Sequence, residues 1–450
     1  MKRKIYSELL KWKSKGGKTA LLIEGARRIG KSYIALEFAR NEYESYILID
    51  FSKTTAKVKN LFKNYLEDLD TFFELLQLYY ATRLTTRKSL VIFDEIQAFP
   101  PARAAVKHLV ADGRFDYIET GSLVSIRNNV RNIVIPSEEE SITMHPMDFE
   151  EFLWAMGDEV MMPLIRKHFE AMKPMNEAHR TTMEMLRRYM IVGGMPQVVG
   201  RYVETRDFNA VDEEKRLIIK IYRDDIGKYA GKMKAKVTAI FDDIPAQLKN
   251  NERVFRVSAI KEKAKMRDYE SAFLWLSEAG IINCCYNTTA PNIGLRMNME
   301  RSTLKCYMSD TGLLVSMAFD ENGSVPTEVY EKILTGKLEV NLGMIAENLV
   351  AQMLTVAKHK LYFYNNPDRQ DASSRMEIDF LIQKGNITSR HNIVPIEVKS
   401  STGYTTKSLE KCANKFGEYV TQPTVLHCSD MKSENGIIYM PLYMTELLGR

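Results

Sequence analysis

The chain has 450 residues, too many for one ordinary hydrophobic core, so several domains are expected. It is 45% hydrophobic and 27% charged, with 23 Gly and 14 Pro, which excludes a disordered, collagen-like or low-complexity chain. The formal charge is +5, from 63 basic and 58 acidic residues, too small to name a polyanionic partner. Cys284, Cys285, Cys306, Cys412 and Cys428 form no CxxC pair, which speaks against a disulfide framework or zinc ribbon and for a reducing, cytoplasmic setting. No run approaches the ~18 apolar residues of a membrane span, and no apolar stretch follows the basic N-terminus, so neither a membrane nor a secretory route is expected.

Residues 1–146 read as a parallel α/β sheet. TALLIEG (19–25), SYILIDF (45–51), SLVIFDEI (89–96) and DYIETGS (116–122) are near-continuous apolar runs, as expected of strands buried on both faces. The intervening segments, including NLFKNYLEDLDTFFELLQLYYATRL, carry helical spacing.

The first strand runs into Gly25-Ala26-Arg27-Arg28-Ile29-Gly30-Lys31-Ser32 and then a helix, which is G-x-x-x-x-G-K-S in a strand–loop–helix context. Such a loop turns its N–H groups toward phosphate oxygens at a positive helix end. Lys31 is expected to reach the β- and γ-phosphates of ATP, and Ser32 to offer its hydroxyl to Mg²⁺. The strand LVIFDE ends in two carboxylates: Asp94 is placed to join Ser32 on Mg²⁺, and Glu95 to polarise an attacking water. A second carboxylate goes beyond what binding requires and suggests hydrolysis. Thr120 and Ser122, ending the next strand, could touch the same water or the γ-phosphate.

GARRIGKS, IFDEIQAFP, the TGS strand end, HPMDFEEFL (145–153), VGGMPQVV (192–199) and YRDDIGKYA (222–230) resemble, in order, a widespread prokaryotic group of AAA-type ATP-binding proteins. The resemblance implies an AAA-type ATPase joined to a C-terminal domain similar to restriction endonucleases. The chain departs from the group after TGS, where many relatives carry a Gly-Arg pair; Arg127 and Arg131 are the candidates here to act on the γ-phosphate.

Residues 147–236 read as a helical lid, punctuated by Gly193-Gly194 and Pro196, with Arg223 as a possible nucleotide sensor against the plainer reading of a solvated helical face. Residues 237–330 read as a winged helix. Ser258 is expected to cap a short helix, a second helix stops at Gly280, and IINCCYN and STLKCYMSD pair as the wing; the resemblance implies such a module too. Lys261, Lys263, Lys265 and Arg267 could meet DNA phosphates, or the module could be a plain interdomain adaptor. Cys284 and Cys285 are read as core packing.

Residues 331–450 follow a helix–three-strand–helix–strand order, the layout of a PD-(D/E)xK nuclease core. Glu397 and Lys399 in Ile396-Glu397-Val398-Lys399 share one face of a strand. With Asp379 alongside, Asp379 and Glu397 could chelate Mg²⁺, Glu347 could complete the metal shell, and Lys399 could orient or deprotonate water. Glu377 and Asp368 are secondary candidates. The fold class expected is therefore α/β: a P-loop NTPase sheet, helical lid, winged helix and nuclease-like domain. The function expected is a Mg²⁺-dependent ATPase coupled to a nuclease-like domain acting on or binding DNA. The alternative is a nucleotide-dependent switch whose nuclease-like domain is a non-cleaving scaffold, with a second copy or another protein as partner.

Overall fold

The computed structural model describes residues 1–121, 138–249, 254–292, 294–338, 341–366, 375–384, 390–401 and 403–449. Ser122, Arg127, Arg131 and Asp368 lie outside the described residues. The chain divides into two compact units, Met1–His145 with Glu278–Gly280, and Pro146–Ser277 with Ile281–Arg450. No described helix is long and apolar enough to cross a membrane.

In the first unit, β1 (Ala20–Glu24), β2 (Ser45–Asp50), β3 (Ser89–Asp94), β4 (Asp116–Gly121) and β5 (Glu139–Thr143) form one sheet in the order β2-β3-β4-β1-β5. Every neighbouring pair is parallel. β3 and β4 are buried along their whole length, which explains why the apolar runs announced them. Helices α1 (Ile5–Lys13), α2 (Lys31–Glu42), α3 (Ala56–Asn64), α4 (Leu69–Tyr80) and α5 (Pro100–Asp112) complete the unit. The long helical stretch after β2 falls into two helices because the Asp68 carboxylate accepts from the Thr71 N–H at 3.1 Å and caps a new start. Phe51, Phe62, Phe72 and Phe93 meet ring to ring on that face, with centroids 5.1 to 5.8 Å apart.

β5 is an addition to the expected strands. Its sequence, EESIT, has no apolar signature, and tertiary contacts hold it instead. It lies in register on β1 from Ala20↔Glu139 to Glu24↔Thr143. Arg103 of α5 grips Glu139 through Nε (3.1 Å) and Nη2 (2.7 Å), a two-point charge-assisted bond at a buried position.

The second unit begins with α6 (Phe149–Ala155), α7 (Met161–Glu170), α8 (Glu177–Val192), α9 (Pro196–Thr205), α10 (Phe208–Tyr229) and α11 (Lys234–Lys249). α12 (Val257–Ile260), α13 (Glu270–Glu278), α14 (Thr311–Ala318), α15 (Thr327–Thr335), α16 (Leu342–Val356) and α17 (Lys407–Lys415) follow. Two motifs of the family resemblance build this layer. In HPMDFEEFL, Asp148 and Glu151 form a reciprocal capping box that starts α6. In VGGMPQVV, the Gly194 N–H donates to Asp310 at 2.6 Å and the Gly194 carbonyl accepts from the Met147 N–H at 2.6 Å.

Its sheet runs β12-β13-β11-β10-β9-β8-β6-β7. The strands are β6 (Ile282–Thr288), β7 (Met299–Met308), β8 (Tyr362–Asn366), β9 (Met376–Gln383), β10 (Ile393–Lys399), β11 (Thr424–His427), β12 (Lys432–Glu434) and β13 (Ile437–Pro441). The helix–three-strand–helix–strand order expected near the C-terminus is α16–β8–β9–β10–α17–β11.

β6 and β7 pair antiparallel, with Cys284 opposite Cys306, as the hairpin reading had it. That hairpin is not a free wing: β6 also pairs in parallel with β8, Tyr286 beside Tyr362, and so extends the C-terminal sheet. In β7, Leu304 to Met308 are buried without alternation, as in a strand covered on both faces. Ser258 sits inside α12, whose N-cap is Arg256, so it does not cap that helix. Burial pushes the Cys284 thiol up to about 12 and Cys285 higher still, which fits packing rather than chemistry.

Candidate functional sites

The phosphate loop leaves β1 at its C-terminal end, between β4 and β5, where ligands of open parallel sheets sit. Gly25 adopts φ 142° and Gly30 φ 92°. A Cβ on Gly25 would lie 2.3 Å from the Met144 carbonyl oxygen, so the backbone passes where no side chain fits. Ala26 and Ile29 are buried, whereas Arg27 and Arg28 are exposed. From α1's approach, the Arg3 guanidinium donates to the Ile29 carbonyl (3.0 Å) and to the His145 carbonyl (2.7 Å), tying the loop down. The Lys31 ammonium donates to the carbonyls of Gly25 (3.0 Å) and Ala26 (2.7 Å), folded back over its own loop at the mouth of α2.

Ser32 donates its hydroxyl to Asp94 Oδ1 at 2.6 Å. A hydroxyl and a carboxylate at this separation are hard oxygen donors suited to Mg²⁺, which keeps several waters and takes few protein ligands. Thr120 Oγ1 donates to the same Asp94 oxygen and accepts from the Glu95 N–H at 3.4 Å. Glu95 itself adopts φ 53°, a conformation that non-glycine residues hold only when their surroundings enforce it. Gln97 donates its amide to Glu95 Oε2. Thr120, a candidate to touch the phosphate or its water, links the Asp94 carboxylate to the Glu95 backbone. Gln97 was not singled out in the sequence; its place two residues after Glu95 was the available signal.

In the second unit, Glu377, Asp379, Glu397, Val398, Lys399, Ser400, Ser401 and Ser408 line an open cleft of ≈ 350 Å³. The β8–β9 register slips between Tyr362↔Leu381 and Tyr364↔Ile378, the stretch that contains Asp379. Asp379 Oδ2 accepts from the Val398 N–H at 2.9 Å, which fastens β9 to β10 beyond their ladder. Lys399 Nζ lies 2.8 Å from Glu397 Oε2, as i and i+2 neighbours on one face should. Burial pushes the Glu397 carboxyl up to about 7, with Lys399 pulling it down and Asp379 pushing it further up.

Glu347 is fully buried on α16 and joins this group through a residue that sequence reasoning passed over. Lys305 of β7, itself fully buried, puts its ammonium 3.3 Å from Glu347, 2.9 Å from Glu377 and 3.5 Å from Asp379. The Tyr307 hydroxyl donates to Glu347. A lysine inside the buried run Leu304–Met308 was the missed signal, since buried charges require partners. Among the described residues, no group of three or more His, Cys, Asp or Glu side chains is arranged to hold a metal ion. Of the remaining candidates, Arg223 is bound to Asp242 at 2.9 Å. Lys261, Lys263, Lys265 and Arg267 are all exposed.

Family models match three stretches of the chain: an AAA domain at residues 17–153, a domain of unknown function (DUF8612) at 183–323 and another (DUF4143) at 342–444. No curated protein matches. Among solved structures, the chain is similar to the Walker-type ATPase PABY2304 of Pyrococcus abyssi, at 15% identity over 70% of this chain and 95% of that one, with a TM-score of 0.41. A structure described as a DNA replication initiation factor matches at 11% identity over 60% of this chain and 76% of that one, with a TM-score of 0.22. The last two likenesses are too distant to decide function. The parallel sheet with its strand–loop–helix turn gives the first unit a P-loop NTPase-like fold, and the AAA domain model matches residues 17–153 within and just beyond it.

Proposed function

We propose that this chain is a Mg²⁺-dependent ATPase whose nucleotide cycle switches the second unit between binding states. The carrying observation is Thr120, whose hydroxyl bonds Asp94 and the Glu95 backbone at once. Residues 25–32 would cradle the phosphates, Lys31 would exchange its carbonyl partners for phosphate oxygens, and Ser32 and Asp94 would hold Mg²⁺, which would neutralise phosphate charge. Glu95 orients the attacking water and accepts its proton. Glu95→Gln should keep nucleotide binding while phosphate release falls by about 10²- to 10⁴-fold, the usual worth of a positioned base. Unchanged turnover would refute the assignment.

The exposed row Lys261, Lys263, Lys265 and Arg267 supports DNA as the partner, a second copy or another protein being the alternative. A cleaving reading is favoured by Lys399 lining an open cleft with Asp379 and Glu397. In it, Asp379, Glu397 and Glu347 would hold Mg²⁺, and Lys399 would orient water. The switch reading is favoured by Lys305, an ammonium standing among three of the cluster's carboxylates. Plasmid and single-stranded DNA incubated with Mg²⁺ or Mn²⁺, with and without ATP, decide between them. Metal-dependent cutting that Lys399→Ala abolishes would overturn the switch reading; DNA retention without cutting supports it.

A further inference from the structure

Four carboxylates and two ammonium groups share the polar centre of the second unit. Oxygens of Glu347, Glu377 and Asp379 stand 2.9 to 3.5 Å from Lys305 Nζ, so the ammonium occupies the point on which the three carboxylates converge. The ammonium is held from below as well, with its Nζ 5.1 Å from the centre of the Phe363 ring, whose negative face favours a cation. It is fixed, too, by position: Lys305 comes from β7, Glu347 from α16, and Glu377 and Asp379 from β9. Its side chain is completely buried, so it cannot swing into solvent to make way for an ion without opening the sheet's cover.

We infer that the Lys305 ammonium is the resident cation of this cluster and holds the place that a divalent metal would take among Glu347, Glu377 and Asp379. The residues present therefore do not fit a multi-carboxylate metal centre while Lys305 is charged and in place. This deepens the switch reading and rests on it, because carboxylates that share an internal ammonium hold α16, β7 and β9 together without metal. Removing the ammonium leaves three carboxylates facing one another at the floor of the cleft, without the cation that offsets their repulsion.

The experiment uses the full chain carrying Asp94→Asn, so that the nucleotide site contributes no metal, and follows Mn²⁺ binding by electron paramagnetic resonance. With Lys305 present, no Mn²⁺ should bind with a Kd below about 1 mM, the weak end of protein carboxylate sites. Lys305→Met should gain one Mn²⁺ per chain, and adding Asp379→Asn should remove it. If Lys305→Met unfolds without metal, the gain is read as a thermal transition restored by Mn²⁺. Mn²⁺ binding to the Lys305-bearing chain that Asp379→Asn abolishes would overturn the inference. So would a folded Lys305→Met chain that gains no site. DNA cutting tests the switch reading and Mn²⁺ binding tests this inference, so the two fail separately.

Discussion

Ser32 and Asp94 lie 62 positions apart in the chain, yet the serine hydroxyl donates to the aspartate at 2.6 Å. The first residue opens α2 and the second ends β3, so the parallel sheet brings a loop and a strand end to one point. Thr120, from the neighbouring β4, bonds the same Asp94 oxygen and completes the arrangement.

That third residue gives the sharpest test of the site. Thr120→Val keeps the shape and removes the hydroxyl, leaving a buried carboxylate short of a donor. Turnover should fall about 10- to 100-fold, from the 1.5–3 kcal/mol typical of hydrogen bonds to charged groups. Thr120→Ser should restore most of it. Steady-state kinetics at saturating ATP check this, and equal rates for valine and serine would exclude the role.

Gly25→Ala should damage both fold and nucleotide affinity. Its φ of 142° is strained for alanine, and the added methyl would meet the Met144 carbonyl at 2.3 Å. A loss of roughly 1–3 kcal/mol is expected from backbone strain. Urea unfolding and binding of a fluorescent ATP analogue would register it.

Lys215 of α10 provides a pH signature. It is wholly buried, donates to the Ile191 carbonyl at 3.0 Å, and faces Asp212, Arg216, Asp310 and the Tyr330 ring. Burial pushes its ammonium down to about 8, against attraction from Asp212 and Asp310. The folded state therefore releases this proton near pH 8, while the unfolded chain keeps it to about 10.4. Between those values the unfolded state binds more protons, so Lys215's contribution to stability rises with pH. The rise should be on the order of 2–3 kcal/mol. Lys215→Met should abolish it, which urea unfolding of both chains at pH 7.5 and pH 10 would reveal as a reduced difference.

Much of the first site was legible because its chemistry is contiguous. Gly25 to Ser32 form one loop, and Asp94-Glu95 end one buried strand, so local spacing carried the reading. The pairing of Glu397 with Lys399 was legible for the same reason, since i and i+2 share a face by strand geometry alone. The hairpin β6–β7 was half legible: its antiparallel pairing showed, but its junction with β8 did not.

By itself, then, the sequence determined the strands with continuous apolar runs, the phosphate loop, the paired acids and the strand faces of the second cleft. Each depends on neighbours a few residues apart. Only the tertiary structure decided the rest. β5, with its charged EESIT, is a strand because β1 offers an open edge and Arg103 holds Glu139. Lys305 meets Glu347, Glu377 and Asp379 because β7, β9 and α16, far apart in the chain, are packed together in the second unit. A buried charge announces that it needs partners, but which partners it finds is a property of the packed fold.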